Sequence, residues 1–255
     1  MERAVRRHIS AVLIARNEAH RIDRCLATLG WADEIVVVDS GSSDTTKEIA
    51  RRYTEKVFDL PWRGFGPQKQ AAVDLASHDM VFAIDCDEQV TPPLAAEIGA
   101  ILLQKEICAG YSVPRRTFIG RKEVRHCGWY PDRTVRLFDR TRGRFSDDLV
   151  HERVIVEGET GQCRNDLLHY SFAGIDDMLA KMKPYTDLAA RQLFAKGRRC
   201  RLSDITVRPL FTFFKTLLLQ GGFLDGVAGL TVSVTNSLSV FVKYLKLREL
   251  EMKDK

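Results

Sequence analysis

Asp85 and Asp87 close the run MVFAID-C-D, and their type and spacing suggest chemistry more clearly than any other pair in the chain. In an extended chain, side chains at positions i and i+2 project to the same side, so both carboxylates can meet one ligand. Carboxylates held that close repel each other, and a hard divalent cation relieves the repulsion, often together with substrate phosphates. We therefore predict a site for a divalent metal and a diphosphate. The alternative is a solvated strand end that caps the next helix.

Two more polar clusters follow apolar runs. Arg16-Asn17-Glu18 follows Ile9–Ala15, and Asp39-Ser40-Gly41 ends the run EIVVVD. The carboxylate of Asp39 can accept hydrogen bonds from a nucleobase or a ribose, or it can simply cap the Ser42–Asp44 turn. We expect a ligand-binding role, because Ser42, Ser43 and Asp44 already offer capping side chains.

The elements that position these clusters can be predicted from hydrophobic patterning. Short apolar runs predict buried strands at Ile9–Ala15, Glu34–Asp39, Lys56–Asp59 and Met80–Asp85. Helical spacing predicts helices at Ala19–Leu29, Thr45–Tyr53, Gly66–Ser77 and about 92–105. This alternation implies an α/β fold with a mostly parallel, doubly wound sheet, in which ligands bind beyond the carboxyl ends of the strands. Short alternating runs within 108–170 predict antiparallel strands and loops that wall the site.

Composition excludes several classes of protein. The 255 residues are 45% hydrophobic and carry a net charge of +5, which fits a folded chain rather than a disordered one. The six cysteines form no CxxC pair, so neither a zinc ribbon nor a thioredoxin-like site is indicated, and scattered thiols are typical of a cytosolic protein. Basic residues cluster at 115–144 and 191–216, which favours phosphate-bearing ligands or an anionic surface. We do not expect nucleic acid as a partner.

The separated segments IARNEAHRIDRCLATL, EIVVVDSGSSDTT and VFAIDCDE resemble the nucleotide-binding half of family 2 glycosyltransferases with the GT-A fold. GWYPDRTVRLF, DDLVHE, LLHYS and RPLFTFFKTLLLQGGFLDG extend the likeness over roughly residues 8–248, and this pattern is similar to the lipopolysaccharide-core β-1,4-glucosyltransferases. The resemblance implies a Rossmann-like GT-A domain at 1–200, with a nucleotide-binding half at 1–105 and an acceptor half at 106–200. A C-terminal amphipathic helical segment is expected at 201–255.

The resemblance implies inverting transfer of one sugar, glucose from UDP-glucose, to an inner-core heptose or a similar lipid-linked oligosaccharide acceptor. The expected nucleotide-sugar-binding residues are Ala15, Arg16, Asn17, Glu18, Asp39, Lys69, Asp85, Cys86, Gly128 and Trp129. The resemblance does not include Lys69: its side chain, like that of Arg136, can contact a phosphate, and the alternative for both is an ordinary surface residue. A divalent metal, Mg²⁺ or Mn²⁺, is expected on Asp87 with Asp85 and His169. The alternative for His169 is a core histidine bonded to the backbone.

The catalytic base is expected in the acidic cluster 147–152, and the family motif places it at Glu152. Asp148 is the second candidate, and the alternative for the whole stretch is a solvated hairpin turn. Many family 2 enzymes have Glu-Asp here, whereas this chain has His151-Glu152. The Q-x-x-R-W motif of processive synthases is missing, which favours transfer of a single sugar.

The C-terminal segment is apolar with few charges. Ile205–Leu219 carries only Arg208 and Lys215, seven residues apart and therefore on one helical face with Thr212. Such a segment can lie in a bilayer interface with its basic side chains at anionic headgroups. We expect a cytoplasmic protein bound peripherally to the anionic, cytoplasmic face of the inner membrane; the alternative is a helical pair packed on the sheet or on a second subunit.

Two other functions are compatible with the sequence. A phosphatase of the haloacid dehalogenase type would use Asp85 as nucleophile and Asp87 as acid, but Gln89 stands where Thr or Val belongs. A nonenzymatic nucleotide-binding membrane adaptor would leave Glu152 without a purpose.

Overall fold

The computed structural model describes residues 6–146 and 152–254, which form two compact units. The first comprises the described parts of Met1–Arg115 and Asp132–His169, and the second comprises Arg116–Pro131 and the described part of Tyr170–Lys255. The boundary that we expected at residue 200 falls inside the second unit.

The strands are β1 Ile9–Ala15, β2 Glu34–Asp39, β3 Val57–Asp59, β4 Met80–Ala83, β5 Glu88–Val90, β6 Gly110–Ile119, β7 Lys122–Val124, β8 Asp132–Asp139, β9 Gly143–Phe145, β10 Val154–Val156, β11 Thr160–Gln162 and β12 Leu167–Phe172. The main sheet has the order β3-β2-β1-β4-β8-β6-β12-β5. β3, β2, β1 and β4 run parallel, and β8 joins β4 antiparallel. β9 and β10 form a separate antiparallel pair.

The helices are α1 Ile22–Leu26, α2 Thr46–Ala50, α3 Phe65–Asp74, α4 Pro92–Leu102, α5 Ile175–Ala195, α6 Leu202–Ile205, α7 Val207–Phe214 and α8 Val227–Lys253. A π-helical turn, Lys215–Leu219, continues α7, and a 3-10 turn, Gly222–Asp225, precedes α8. Within the described ranges, no helix combines the length and the apolar character that crossing a bilayer requires.

The core of the first unit lies on both faces of the sheet. Alternate residues of β1 enter different apolar clusters, Leu13 joining one and Val12 the other. Both side chains are 2% exposed. The prediction of strands buried on both faces is confirmed, and the reason is that helices cover the parallel strands on each side.

The structure corrects the end of the fourth strand. β4 ends at Ala83, and the N–H of Glu88 donates to the carbonyl of Asp85 (3.0 Å), which closes a turn. Asp85 and Asp87 therefore lie in a turn, and the extended geometry that we used to place both carboxylates on one side is wrong. α1 is also shorter than predicted, because the N–H of Glu18 and that of Ala19 donate to side chains after β2 instead of entering a helix.

The second unit is mainly helical. α5 and α8 pack together through an apolar cluster that includes Ala190, Tyr244 and Leu247. The 3-10 turn lies directly on α8, since a Cβ added at Gly229 would stand 1.7 Å from the carbonyl oxygen of Gly222. The predicted helical character of 203–250 is confirmed.

Candidate active site

The polar clusters that follow β1, β2 and β4 lie at one edge of the sheet. β1 pairs in parallel with β2, where Ala15 stands opposite Asp39, and with β4, where Val12 stands opposite Ala83. Parallel strands end at the same edge, so the loops that follow them are neighbours. The sequence prediction that these clusters gather at the carboxyl edge is confirmed for the loops.

The loop after β1 is fastened to the loop after β2. The N–H of Asn17 donates to Oγ of Ser42 (2.9 Å), and the N–H of Ser43 donates to Oδ1 of Asn17 (2.8 Å). Asn17 has φ of 55°, a left-handed conformation that asparagine tolerates better than most residues. Ala15 is buried beneath this loop, whereas Arg16 is exposed. Hydrogen bonds thus hold the loop that contains the expected nucleotide-binding residues 15–18 against the loop after β2.

The carboxylate of Asp39 stabilises the turn that follows β2. This buried carboxylate accepts the N–H of Gly41 (2.9 Å), the N–H of Ser42 (2.8 Å) and the hydroxyl of Ser42 (2.5 Å). These bonds are the capping role that was the alternative for Asp39, since aspartate readily bonds to backbone two residues onward. Asp44 also caps as expected, because its Oδ1 accepts the N–H of Thr46 (3.0 Å). A contact of Asp39 with a nucleobase or a ribose stays a prediction.

Asp85 lies between two cations. Its Oδ1 is 2.6 Å from Nζ of Lys69, and its Oδ2 accepts a hydrogen bond from Arg136 (2.6 Å). Burial would raise the pKa of Asp85, but the charges of Arg136 and Lys69 outweigh it and hold that pKa well below its usual range. The carboxylate is therefore ionised at neutral pH.

Lys69 also reaches the expected catalytic base. Nζ of Lys69 is 2.8 Å from Oε1 of Glu152, whose side chain is 16% exposed. Burial would lower the pKa of Lys69, yet the charge of Asp85 and that of Glu152 keep it raised. Lys69 thus joins a carboxylate of the nucleotide half to one of the acceptor half. Asp148 lies outside the described residues.

Glu88 is the residue that sequence reasoning missed. It is completely buried, and its Oε1 pairs with Arg136 and with Arg115, while its Oε2 accepts the N–H of Asp85 (3.0 Å). It therefore fixes both the turn and the guanidinium that faces Asp85. Its position directly after the D-x-D triplet was the available signal.

Asp87 has different neighbours. Its Oδ2 lies 3.6 Å from Nε2 of His169 and 3.7 Å from a guanidinium nitrogen of Arg21. Strand pairing produces this contact, because β12 runs antiparallel to β5 and sets His169 opposite Glu88. The two side chains are 19% and 18% exposed, so a ligand can reach them.

The donor set fits a divalent cation in part. One carboxylate oxygen of Asp87 and one imidazole nitrogen of His169 are close enough to share an ion. The carboxylate suits Mg²⁺ or Mn²⁺ when phosphate oxygens and water complete the shell, whereas an imidazole nitrogen is a softer ligand than Mg²⁺ prefers. Among residues 6–146 and 152–254, no group of three or more His, Cys, Asp or Glu side chains is arranged to hold a metal. Asp85 pairs with cations rather than completing such a group.

The remaining expected site residues lie elsewhere. The thiol of Cys86 is buried and donates to the carbonyl of Ile14 (3.3 Å), and burial raises its pKa well above the usual value. Gly128 and Trp129 belong to the second unit, where Trp129 packs near Phe172. The role of Gly128 and Trp129 against a donor sugar stays a prediction.

The family model described as glycosyl transferase family 2 matches residues 10–152. The matched region begins in β1, contains the loops and the turn described above, and ends at Glu152. The α/β architecture of parallel strands followed by antiparallel ones confirms the fold expected for this family.

Relatives extend the match to nearly the whole chain. The lipopolysaccharide core biosynthesis glycosyltransferase LpsC of Rhizobium meliloti (strain 1021) is 30% identical over 94% of this chain and 91% of its own length. The uncharacterized glycosyltransferase RC0292 of Rickettsia conorii is 28% identical over 100% of this chain and 95% of its own. A solved structure of glucosyl-3-phosphoglycerate synthase from Mycobacterium tuberculosis, with Mn²⁺, UDP and glucosyl-3-phosphoglycerate, is 30% identical, covers 45% of this chain and 46% of its own, and has a TM-score of 0.36.

Proposed function

Because this chain belongs to glycosyl transferase family 2, we propose that it transfers one glucose from UDP-glucose to an inner-core heptose of lipopolysaccharide or to a similar lipid-linked glycan. The acceptor class is supported by the relative in Rhizobium meliloti, which acts in lipopolysaccharide core biosynthesis. The donor rests on the sequence resemblance. We propose that the protein is a peripheral enzyme at the cytoplasmic face of the inner membrane, because a lipid-linked acceptor lies at a membrane.

The observation that carries the proposal is the bridge from Asp85 through Lys69 to Glu152, with distances of 2.6 and 2.8 Å. A sugar transferase needs its donor-binding groups and its base within the reach of one sugar ring. The bridge supports this arrangement, since it holds a carboxylate of each half on a single ammonium group.

We propose that Glu152 acts as the general base. Its carboxylate takes the proton of the acceptor hydroxyl while that oxygen attacks the anomeric carbon. The bond from the anomeric carbon to the diphosphate breaks, and UDP departs with the electron pair. Attack from the opposite side inverts the configuration, so an α-linked donor yields a β-glycoside. Lys69 positions the base by fixing one of its oxygens.

Asp87 and His169 would hold a divalent cation, which when bound neutralises negative charge on the leaving diphosphate. Arg21 lies on the same carboxylate and would offset charge there. The nucleoside would bind to the surface formed by Asn17, Glu18 and the loop after β2.

The phosphatase alternative is set aside. Lys69 pairs with one carboxylate oxygen of Asp85 and Arg136 with the other, whereas a phosphatase nucleophile needs an oxygen that is free to attack the substrate phosphorus. The family assignment points the same way, and it also replaces the adaptor alternative with an enzyme.

A transfer assay tests the proposal. The protein is mixed with Mg²⁺ or Mn²⁺, a heptose-terminated core acceptor and a panel of UDP-sugars, and UDP release and product mass are measured. We expect glucose transfer, and we expect Glu152→Gln to keep UDP binding while transfer falls by about 10²–10⁴-fold. Glu157→Gln, an exposed carboxylate close in sequence, is the matched control. Full activity of Glu152→Gln would remove Glu152 from the mechanism and promote Asp148.

A further inference from the structure

A groove of about 590 Å³ lies within the second unit, between α7 with its π-helical continuation and α8. Three basic side chains line it, Arg208, Lys215 and Lys243. Among the described residues that line it there is no acid. The sequence prediction that Arg208, Thr212 and Lys215 share one face is confirmed, since all three line the groove.

The positive charge in this groove is only partly compensated. Arg208 pairs with the buried carboxylate of Asp204, which Arg198 also contacts. In the described part of the chain, neither Lys215 nor Lys243 has a carboxylate within ion-pair distance. Burial lowers the pKa of Lys243, and the charge of Arg208 lowers it further, so these cations destabilise one another. An anion in the groove would relieve this repulsion.

Polar groups on the same walls suit a phosphate. Asn236 and Ser239 of α8 line the groove and add an amide and a hydroxyl to the lysine ammonium groups. Phosphate oxygens accept several hydrogen bonds at once, and charge-assisted bonds from lysine are the stronger ones. The groove therefore has the chemistry of a phosphate-monoester or phosphodiester site.

Four exposed apolar side chains lie on α7 and its π-helical continuation, and one of them lines the groove. Leu210, Phe211, Phe214 and Leu218 are 62%, 60%, 52% and 54% exposed, and Phe211 itself lines the groove. Exposed apolar patches of this kind mark interaction surfaces. A soluble anion would use the cations and leave these side chains in water. A second copy of the chain would cover them but bring like charges together.

We propose that the groove between α7 and α8 binds the phosphate of a bilayer phospholipid, while the neighbouring apolar side chains of α7 and its π-helical continuation enter the acyl region. Only an amphiphile satisfies the cationic groove and the apolar surface together. This lipid site lies in the second unit and is separate from the proposed sugar transfer. It does not depend on which sugar is transferred.

Vesicle co-sedimentation of the full chain tests the proposal. The probes are phosphatidylcholine vesicles with and without phosphatidylglycerol. We expect Lys215→Gln/Lys243→Gln to weaken binding to the anionic vesicles about twenty-five-fold, because each surface-proximal lysine contributes about five-fold. Arg51→Gln/Arg52→Gln removes the same charge from exposed positions in the first unit and should bind like the native chain. Equal loss in both double variants, or no loss in either, would overturn the site.

Two further experiments distinguish a phospholipid from a free phosphate and from a second copy of the chain. Phe214→Ser/Leu218→Ser changes exposed side chains, so the fold should survive, and we expect vesicle binding to be lost. If inorganic phosphate or glycerol phosphate stabilises the protein through Lys215 and Lys243 while vesicles do not bind, the ligand is a free phosphate and the lipid proposal fails. A concentration-dependent dimer abolished by Phe214→Ser/Leu218→Ser, without vesicle binding, also overturns it.

Donor turnover distinguishes the two proposals. With a soluble acceptor analogue present, the lysine double variant should release UDP from UDP-glucose at the native rate, because neither Lys215 nor Lys243 is among the residues expected to bind the donor or to act as base. Vesicle binding with no sugar transfer by the native chain would leave the lipid site standing and remove the proposed function.

Discussion

Nζ of Lys69 lies 2.8 Å from Oε1 of Glu152, so a side chain of α3 holds the carboxylate that precedes β10. Lys69 comes from the middle of a helix whose sequence shows no catalytic motif. In the proposed mechanism Lys69 is a positioning residue, because it contacts the proposed base Glu152 rather than the substrate.

Lys69→Gln should lower kcat by about 10²-fold and change KM little, since a misplaced base costs that much. The variant should also raise the pKa of Asp85, because the Lys69 charge helps to lower it. Lys69→Arg keeps the charge and should recover part of kcat. Steady-state kinetics with the three proteins checks this; a normal kcat with only a lower Tm would reduce Lys69 to a structural role.

Asp87→Ala should abolish the extra thermal stabilisation that Mn²⁺ adds to UDP binding. In the native chain, a ligand at about 100 times its Kd contributes about 2.7 kcal/mol, which thermal melts detect. His169→Ala should show a smaller loss, because Asp87 carries the charge that attracts the ion. Asp79→Ala, at a side chain 71% exposed, serves as the control. A native metal response in Asp87→Ala would contradict the assignment.

Stability should fall on acidification through Glu34. Burial would raise the pKa of this carboxyl, but hydrogen bonds from Lys56, Ser10 and Ser77 lower it from 4.5 to about 2. A depressed folded pKa gives stability that is complete above the unfolded value and is lost as pH falls through the folded one. We expect the free energy of unfolding to drop between about pH 4.5 and 2, by roughly 3 kcal/mol at most from this group.

Denaturant titration of Glu34→Gln measures that share. Its unfolding free energy should be lower near neutral pH and flatter between about pH 4.5 and 2 than that of the native chain. Glu55→Gln, which removes an exposed carboxyl from the same unit, should keep the native slope. Parallel curves for all three proteins would show that Glu34 is not responsible.

Asp225→Ala should destabilise the second unit by about 1–2 kcal/mol, since it leaves part-buried donors without an acceptor. The carboxylate of Asp225 accepts the N–H of Arg125 (3.1 Å) and of His126 (2.8 Å), and it lies 2.9 Å from Nδ1 of His126. Asp225→Asn retains one acceptor oxygen and should cost less. Chemical denaturation compares the two, and equal losses would mean that the charge matters more than the backbone bonds.

The strands that carry the site could be predicted from sequence because their signal is local. β1 and β2 have the predicted bounds, since apolar runs buried on both faces leave little freedom of register. The end of β4 could not be predicted, because Glu88 decides it by bonding to the N–H of Asp85 while pairing with Arg136 from another strand. That choice depends on contacts distant in sequence.

The candidate site shows the same division. The positions of Asp85, Asp87 and the loop after β1 at the sheet edge were predicted from the apolar runs that precede them, whereas the nearness of His169 was expected only from the family resemblance and follows from a strand pairing. Lys69 was expected on a phosphate, and the structure pairs it with two carboxylates. An ordinary lysine in a helix carries no signal of such partners, since they approach it only in the folded sheet.

The pairing of β12 with β5 also sets the order in which the protein becomes competent during its synthesis. Asp87 leaves the ribosome well before His169, and such long-range pairings are slow to form because loop closure must precede them. A nascent chain that has emerged only as far as Glu152 would have the loops that are expected to bind the nucleotide, but it would lack His169. The proposed divalent-ion site would therefore be complete only after β12 has paired with β5.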